Sequence, residues 1–277
     1  MRLHFLGVRG STPAPGAEYL RYGGHTSCVA VSRGDGAPTL ILDAGTGIRR
    51  ASALCDGAFA GTILLSHLHW DHLHGLPFFS SGDREGSRVH VALPESEIGE
   101  EPLAALTRGM SPPHFPVGPH ELRGSWSFSA LREGPVDLEG FEVVARQVPH
   151  KGGRTFGYRV SDGHGVVAYL PDHCPTDVGP GPEGWGEYHE AAMELASGAD
   201  VLIHDSFMTA EEVERDAFLG HAAVEYVVGL ARRAGCATTV LFHHRPDRTD
   251  DELDSIAARV AGDPGVVVAT ETLVLDA

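Results

Sequence analysis

The sequence predicts a mixed α/β (α+β) fold in which two β-sheets are flanked by helices. Three observations predict it. Short apolar runs bounded by glycine-rich turns fill the first part of the chain, the pattern of buried strands. In the second half such runs alternate with stretches of helical period. With 35 glycines and 18 prolines among 277 residues, turns are frequent, and no stretch is long and biased enough to be a linker. We therefore expect one unit over 1–277, with an irregular, loop-rich segment at about 82–140.

In order along the chain, strands are expected at 3–8, 28–32, 39–43, 62–66 and 89–93. Further strands follow at 142–147, 156–160, 166–170, 201–204 and 239–242. Helical periodicity marks 187–196, 222–234 and 250–261. The last helix opens on "TDDELD", where Thr249 or Asp250 can cap and acidic residues complement the positive end of the helix dipole.

Charge narrows the partners. The chain holds 21 basic and 38 acidic residues, a net charge of −17. Such a surface repels polyanions at long range, so a long nucleic acid or a membrane surface is not an expected partner. A small anionic substrate at a locally positive site remains compatible. Cys28, Cys55, Cys174 and Cys236 form no C-x-x-C pair and read as reduced thiols of a cytoplasmic protein. No apolar run is long enough to span a bilayer, and "MRLHFLGVRG" reads as strand and turn rather than signal peptide.

The stretch "SHLHWDHLHG" packs His67, His69, Asp71, His72 and His74 together directly after an apolar strand. Residues two apart at a strand end point to one side, so His67 and His69 can share a metal. Asp71 and His72 follow as the chain turns. A site for a borderline metal needs three or four nitrogen or carboxylate ligands, and four such ligands split two and two suit a pair of ions.

"HLHWDH" resembles the H-x-H-x-D-H signature of the metallo-β-lactamase superfamily. The likeness continues in single residues that follow apolar strands: His150 after "FEVVARQV", Asp172 after "VVAYL" and His243 after "TTVLF". The resemblance implies a four-layer αββα sandwich with a two-metal site on one edge of its sheets. By the same resemblance, His67, His69 and His150 hold one ion, Asp71, His72 and His243 the other, and Asp172 bridges them. The ions implied are divalent, zinc first, with manganese or iron as alternatives. His244 competes with His243, which is preferred because it directly ends its strand. His74 reads as a helix residue near the pocket, His4 and His90 as sheet histidines. Asp43 in "LILDAGTG" resembles an early aspartate that supports the ligand loop.

Two metals sharing a water lower its pKa and aim it at an electrophile, a scheme that serves amides, thioesters and phosphodiesters alike. The resemblance separates these. True β-lactamases lack the bridging carboxylate that Asp172 supplies, whereas thioester hydrolases have it. "VLIHDSF" and "GHAA" resemble two short motifs of the ribonuclease Z group and its phosphodiesterase relatives. They make His221 a candidate general acid at the start of a helix and Asp205 its orienting group; the alternative is a plain helix N-terminal histidine. The departures are Asp-Ser-Phe for the usual Glu-Ala-Thr and Ala-Ala after the histidine. Only 21 residues separate His150 from Asp172, too few for the long tRNA-gripping arm of many ribonuclease Z enzymes.

Arg9, Arg21, Lys151 and Arg154 are further candidates for an anionic group, each equally readable as part of a structural turn. His25 stands where relatives carry asparagine. The leading expectation is a dinuclear-metal hydrolase of a small phosphodiester, cyclic ones included, using a metal-activated hydroxide. An ester, lactone or thioester hydrolase is the alternative, and a silent metal- or ligand-binding protein the second. A homodimer is common among resembling proteins.

Overall fold

The computed structural model describes residues 1–277. Six strands build most of the first sheet: β1 (Arg2–Gly7), β2 (Cys28–Ser32), β3 (Leu40–Leu42), β4 (Ala60–Leu64), β5 (Arg88–Pro94) and β6 (Ser125–Leu131). The second holds β7 (Gly134–Leu138), β8 (Phe141–Gln147), β9 (Phe156–Ser161), β10 (Val166–Leu170), β11 (Val201–Asp205), β12 (Thr238–Phe242) and β13 (Val266–Val268). The last strand, β14 (Val274–Asp276), returns to pair with β1. The spatial orders are β14-β1-β2-β3-β4-β5-β6 and β13-β12-β11-β10-β9-β8-β7.

Alternation along the strands explains the layering. In β10 Val167 and Tyr169 join the core between the sheets, while Ala168 and Leu170 face the other way. In β12 Val240 and Phe242 point inward and Leu241 outward. Each fully buried side chain of this size contributes about 1.5–3 kcal/mol. Three short helices belong to the first half: α1 (Ile48–Ala51), α2 (Trp70–Leu73) and α3 (Pro102–Gly109). Ile48 of α1 and Leu106 of α3 pack on the outer face of the first sheet. The second half adds α4 (Glu190–Ala196), α5 (Ala210–Asp216), α6 (Val224–Ala234) and α7 (Asp250–Val260), whose Leu195, Val213, Val227 and Leu253 cover the second sheet. The result is the αββα sandwich. At α7 the Thr249 hydroxyl accepts from the Glu252 amide at 3.4 Å, and the Glu252 carboxylate accepts from the Thr249 amide at 2.7 Å.

Strand direction places the site. β3, β4, β5 and β6 are parallel neighbours. In the other sheet β10, β11 and β12 are parallel, and β8 runs the same way because β9 is antiparallel to both β8 and β10. The carboxyl ends of these strands, where ligands of such sheets collect, carry the candidate residues.

The interior strands lie where the sequence places them, within two residues at each end. The segment at 82–140 is more regular than expected: it contains β5, α3, β6 and β7, with irregular chain between them. The helix expected to begin at 222 starts at Val224, so His221 precedes it rather than opening it. No helix is long and apolar enough to cross a membrane.

Candidate metal centre

The buried end of β4 leads into Ser66 and His67, and the chain then turns through His69 into the single-turn helix α2. This turn separates the motif into two donor groups. His67, His69, His150 and Asp172 form one cluster and Asp71, His72 and His243 another, with the ligand atoms of each within 4.8 Å of one another. Asp172 faces both. Its Oδ2 lies 3.1 Å from His150 Nε2 and 3.4 Å from His67 Nε2, and its Oδ1 lies 2.9 Å from His243 Nε2 and 3.2 Å from His72 Nε2. All seven sequence-selected residues are brought together.

Surrounding groups fix the donor atoms. The buried Asp43 carboxylate accepts from the Ser66 amide at 2.7 Å, the Ser66 hydroxyl at 2.9 Å, the Tyr169 hydroxyl at 2.8 Å and His72 Nδ1 at 2.7 Å. With its Nδ1–H so engaged, neutral His72 turns its Nε2 lone pair to the cluster. His67 Nδ1 lies 3.0 Å from the Ser66 hydroxyl, which extends the same chain of donors to Asp43. His150 Nδ1 donates to the Gly220 carbonyl at 2.8 Å and likewise frees Nε2. The Ser11 amide donates to Asp71 at 2.6 Å.

Three non-glycine residues here adopt left-handed backbone angles: Ser11 (φ 60°), Asp43 (φ 59°) and His243 (φ 57°). Strained conformations of this kind cluster at functional sites. Gly10 is required for a different reason: a Cβ there would lie 2.4 Å from the His243 ring.

Electrostatics follow from burial and crowding. Burial, aided by His72, pushes His67 well below the usual imidazole range. Burial also disfavours a charged His72, but Asp71, Asp172 and Asp43 outweigh it and raise this group well above that range. His243 is raised to about 10 by Asp172 and Asp71 despite its burial, and His150 is raised by Asp172. Against the same burial penalty, His243 and His72 hold the Asp172 carboxyl well below the usual range. The donors fit divalent cations: His67 Nε2 and Asp172 Oδ1 are buried and make no hydrogen bond, and nitrogens crowd as close as 3.2 Å between His72 and His243. A cation relieves that crowding and displaces the protons.

His221 is buried beside this cluster, with Asp172 and His243 in reach of the same point. Its Nδ1 donates to Asp205 Oδ2 at 2.9 Å, and its ring stacks on Phe207 at 4.3 Å. Asp205 also accepts from the Phe207, Ala222 and His173 amides, so it is held from several sides.

The looser expectations divide. Arg9 is fully buried and donates to the carbonyls of Gly23 and Arg248, so it is structural. Arg21 pairs with Asp251 and Asp254 on α7. Lys151 donates to the Phe218 carbonyl, and Arg154 pairs with Glu95. His244 is turned away and donates to the Ala269 carbonyl at 2.9 Å. His74 ends α2, exposed and stacked on Trp70 at 5.1 Å. His25 meets the Thr46 hydroxyl, and His4 and His90 lie in β1 and β5. Sequence reasoning missed Ser66, Tyr169, Gly10, Ser11 and Phe207. For all but Tyr169, the neighbourhood in "GVRGS", "LSH" and "DSF" was the one available signal.

The model of the Beta-lactamase superfamily domain matches residues 39–244. A ribonuclease Z of Synechococcus sp. (strain WH7803) is 24% identical over 326 residues, covering 100% of this chain and 96% of that protein. Among solved structures, the metallo-beta-lactamase fold protein YhfI from Bacillus subtilis superposes with a TM-score of 0.69 at 18% identity, over 100% of this chain and 99% of that one. A diphosphatase from the PhnP family gives 0.68 at 20% identity, over 100% and 97%. The paired donor clusters thus sit on a fold shared with these proteins, and the chain belongs to the beta-lactamase superfamily, as a metal-dependent hydrolase of the metallo-β-lactamase fold.

Proposed function

We propose that the protein hydrolyses small phosphodiesters, cyclic ones included, at a dinuclear site. The observation that carries this reading is the buried His221–Asp205 pair beside the donor clusters. A phosphodiester needs a proton on its departing alkoxide, and a rigidly held imidazole next to the reacting centre supplies one. His67, His69 and His150 would hold one ion and Asp71, His72 and His243 the other, with Asp172 between them; zinc suits this set, as do manganese and iron. When bound, such ions supply Lewis-acid charge and a water of lowered pKa.

The protein's own groups then do the following. Asp205 accepts from His221 Nδ1, which leaves Nε2 to carry the proton toward the leaving oxygen. The Phe207 ring keeps the imidazole plane fixed. Asp71, oriented by the Ser11 amide, offers an acceptor that aligns the attacking water. The net charge of −17 favours a small anion over a long nucleic acid, and the ribonuclease names of relatives enter only as phosphodiester chemistry.

The test is hydrolysis of bis(p-nitrophenyl) phosphate after metal quantification, with and without chelator, beside His72→Ala and His221→Ala. Chelator-sensitive turnover, abolished in His72→Ala, is expected; His221→Ala should change little for this activated ester and lose most of its activity on an unactivated phosphodiester. Silence with two ions bound, together with turnover of an acyl ester or thioester that survives His221→Ala, would transfer the proposal to the acyl class. A carboxylate at Asp172, which would lie between the two ions, is compatible with that class too.

A further inference from the structure

A pocket of about 340 Å³ opens beside the first donor cluster, with His67 and His69 in its wall. Its volume falls within the roughly 300–1,000 Å³ of small-molecule sites. The opposite wall comes from the chain after β5 and from α3, including Glu95, Glu97, Ile98 and Arg108. Two guanidinium groups line it, and both are committed: Arg154 to Glu95 at 2.7 Å, Arg108 to Glu100 at 2.8 Å. Glu97 forms no ion pair, and Ile98 is 83% exposed at the same rim.

We infer that this pocket holds the non-reacting arm of the substrate, and that this arm is uncharged and hydroxyl-bearing, a sugar or nucleoside rather than a second phosphate. This deepens the phosphodiester reading and rests on it. Sugars present hydroxyl donors on their edges and C–H groups on their faces. Ser96 and Glu97 supply acceptors for the first, while Leu68, Ala105 and Ile98 supply apolar contact for the second. A phosphate placed here meets an unpaired carboxylate and finds each arginine already neutralised, a repulsive element that sorts substrates.

The test compares thymidine 5′-monophosphate with thymidine 3′,5′-bisphosphate by titration calorimetry on the metal-loaded protein. The monophosphate is expected to bind at least about tenfold more tightly, a difference typical of one like-charge contact. In Glu97→Arg the gap is expected to close to about threefold or less. Equal or tighter binding of the bisphosphate by the wild type overturns the inference, as does a gap unchanged in Glu97→Arg or no binding of the monophosphate. Turnover of bis(p-nitrophenyl) phosphate reports separately on the chemistry. Turnover without the binding preference removes the pocket assignment alone; the preference without turnover removes the hydrolytic reading and leaves the pocket.

Discussion

His72 Nδ1 donates to Asp43 Oδ2 across 2.7 Å, with both side chains wholly enclosed. The carboxylate that orients this imidazole also holds Ser66 and Tyr169, so one residue at the end of β3 governs the ligand loop at the end of β4. Asp43→Asn keeps the shape but weakens the acceptor. Metal affinity is expected to fall about 10–100-fold, read by chelator competition. Unchanged affinity would mean that the ligand loop is oriented without Asp43.

Gly10 lies against the His243 ring. Gly10→Ala places a methyl 2.4 Å from that ring and has to displace it. The variant is expected to fold with its first cluster intact and to retain about half the bound metal, measured by elemental analysis. A full complement would show that the loop yields instead of the histidine.

Removing the candidate acid is expected to lower kcat for an unactivated phosphodiester by about 10²–10⁴ in His221→Ala. Asp205→Asn should cost less, since it alters the partner of Nδ1 and not Nε2. Substrates with good leaving groups should suffer little. If activated and unactivated esters decline alike, His221 is not the proton donor.

Acid stability offers a fourth check, in metal-free protein under chelator. Burial lowers His244 to about 3, against about 6.5 in an unfolded chain. Below pH 6.5 the unfolded state binds a proton that the folded state refuses, so stability is full above 6.5 and falls as pH drops. His72 and His243, both raised, keep their protons in the folded state there, and their opposing slope fades within about a unit below 6.5 as the unfolded chain takes up the same protons. His244→Gln should reduce the slope between pH 6.5 and about 4.5 by up to about 1.4 kcal/mol per pH unit, seen in urea midpoints. Parallel curves would remove His244 from the account.

What the sequence made legible follows the layers. Every strand expected from an apolar run is an interior strand, and most are buried on both faces, where burial itself writes the pattern; β8 instead alternates, with Glu142 and Gln147 exposed. The four strands it did not announce, β6, β7, β13 and β14, are the four sheet edges. Serines alternate through "SWSFSAL", proline sits in "GPVDL", and the other two are three residues long. Edge strands face solvent and carry such mixed signals. The donors were legible because their chemistry is local, four in one motif and three at strand ends. The supporting groups were not: Tyr169 reaches Asp43 across 126 positions, and no local pattern announces that. Arg9 and Arg21 stayed undecided because an arginine near a glycine turn reads the same whether it faces an anion or the protein's own carbonyls and carboxylates.

The donors are shared between the halves of the chain. His67, His69, Asp71 and His72 ride on the first sheet, and His150, Asp172 and His243 on the second. With contacts of 3.1–3.4 Å across that seam, a hinge opening of even an ångström would scatter the ligands. The sandwich cannot breathe along this line and keep its donor clusters together. Whatever freedom the protein has to accept new substrates must therefore lie at the rim, in the chain after β5 and in α3, which can be rebuilt without disturbing the clasp beneath.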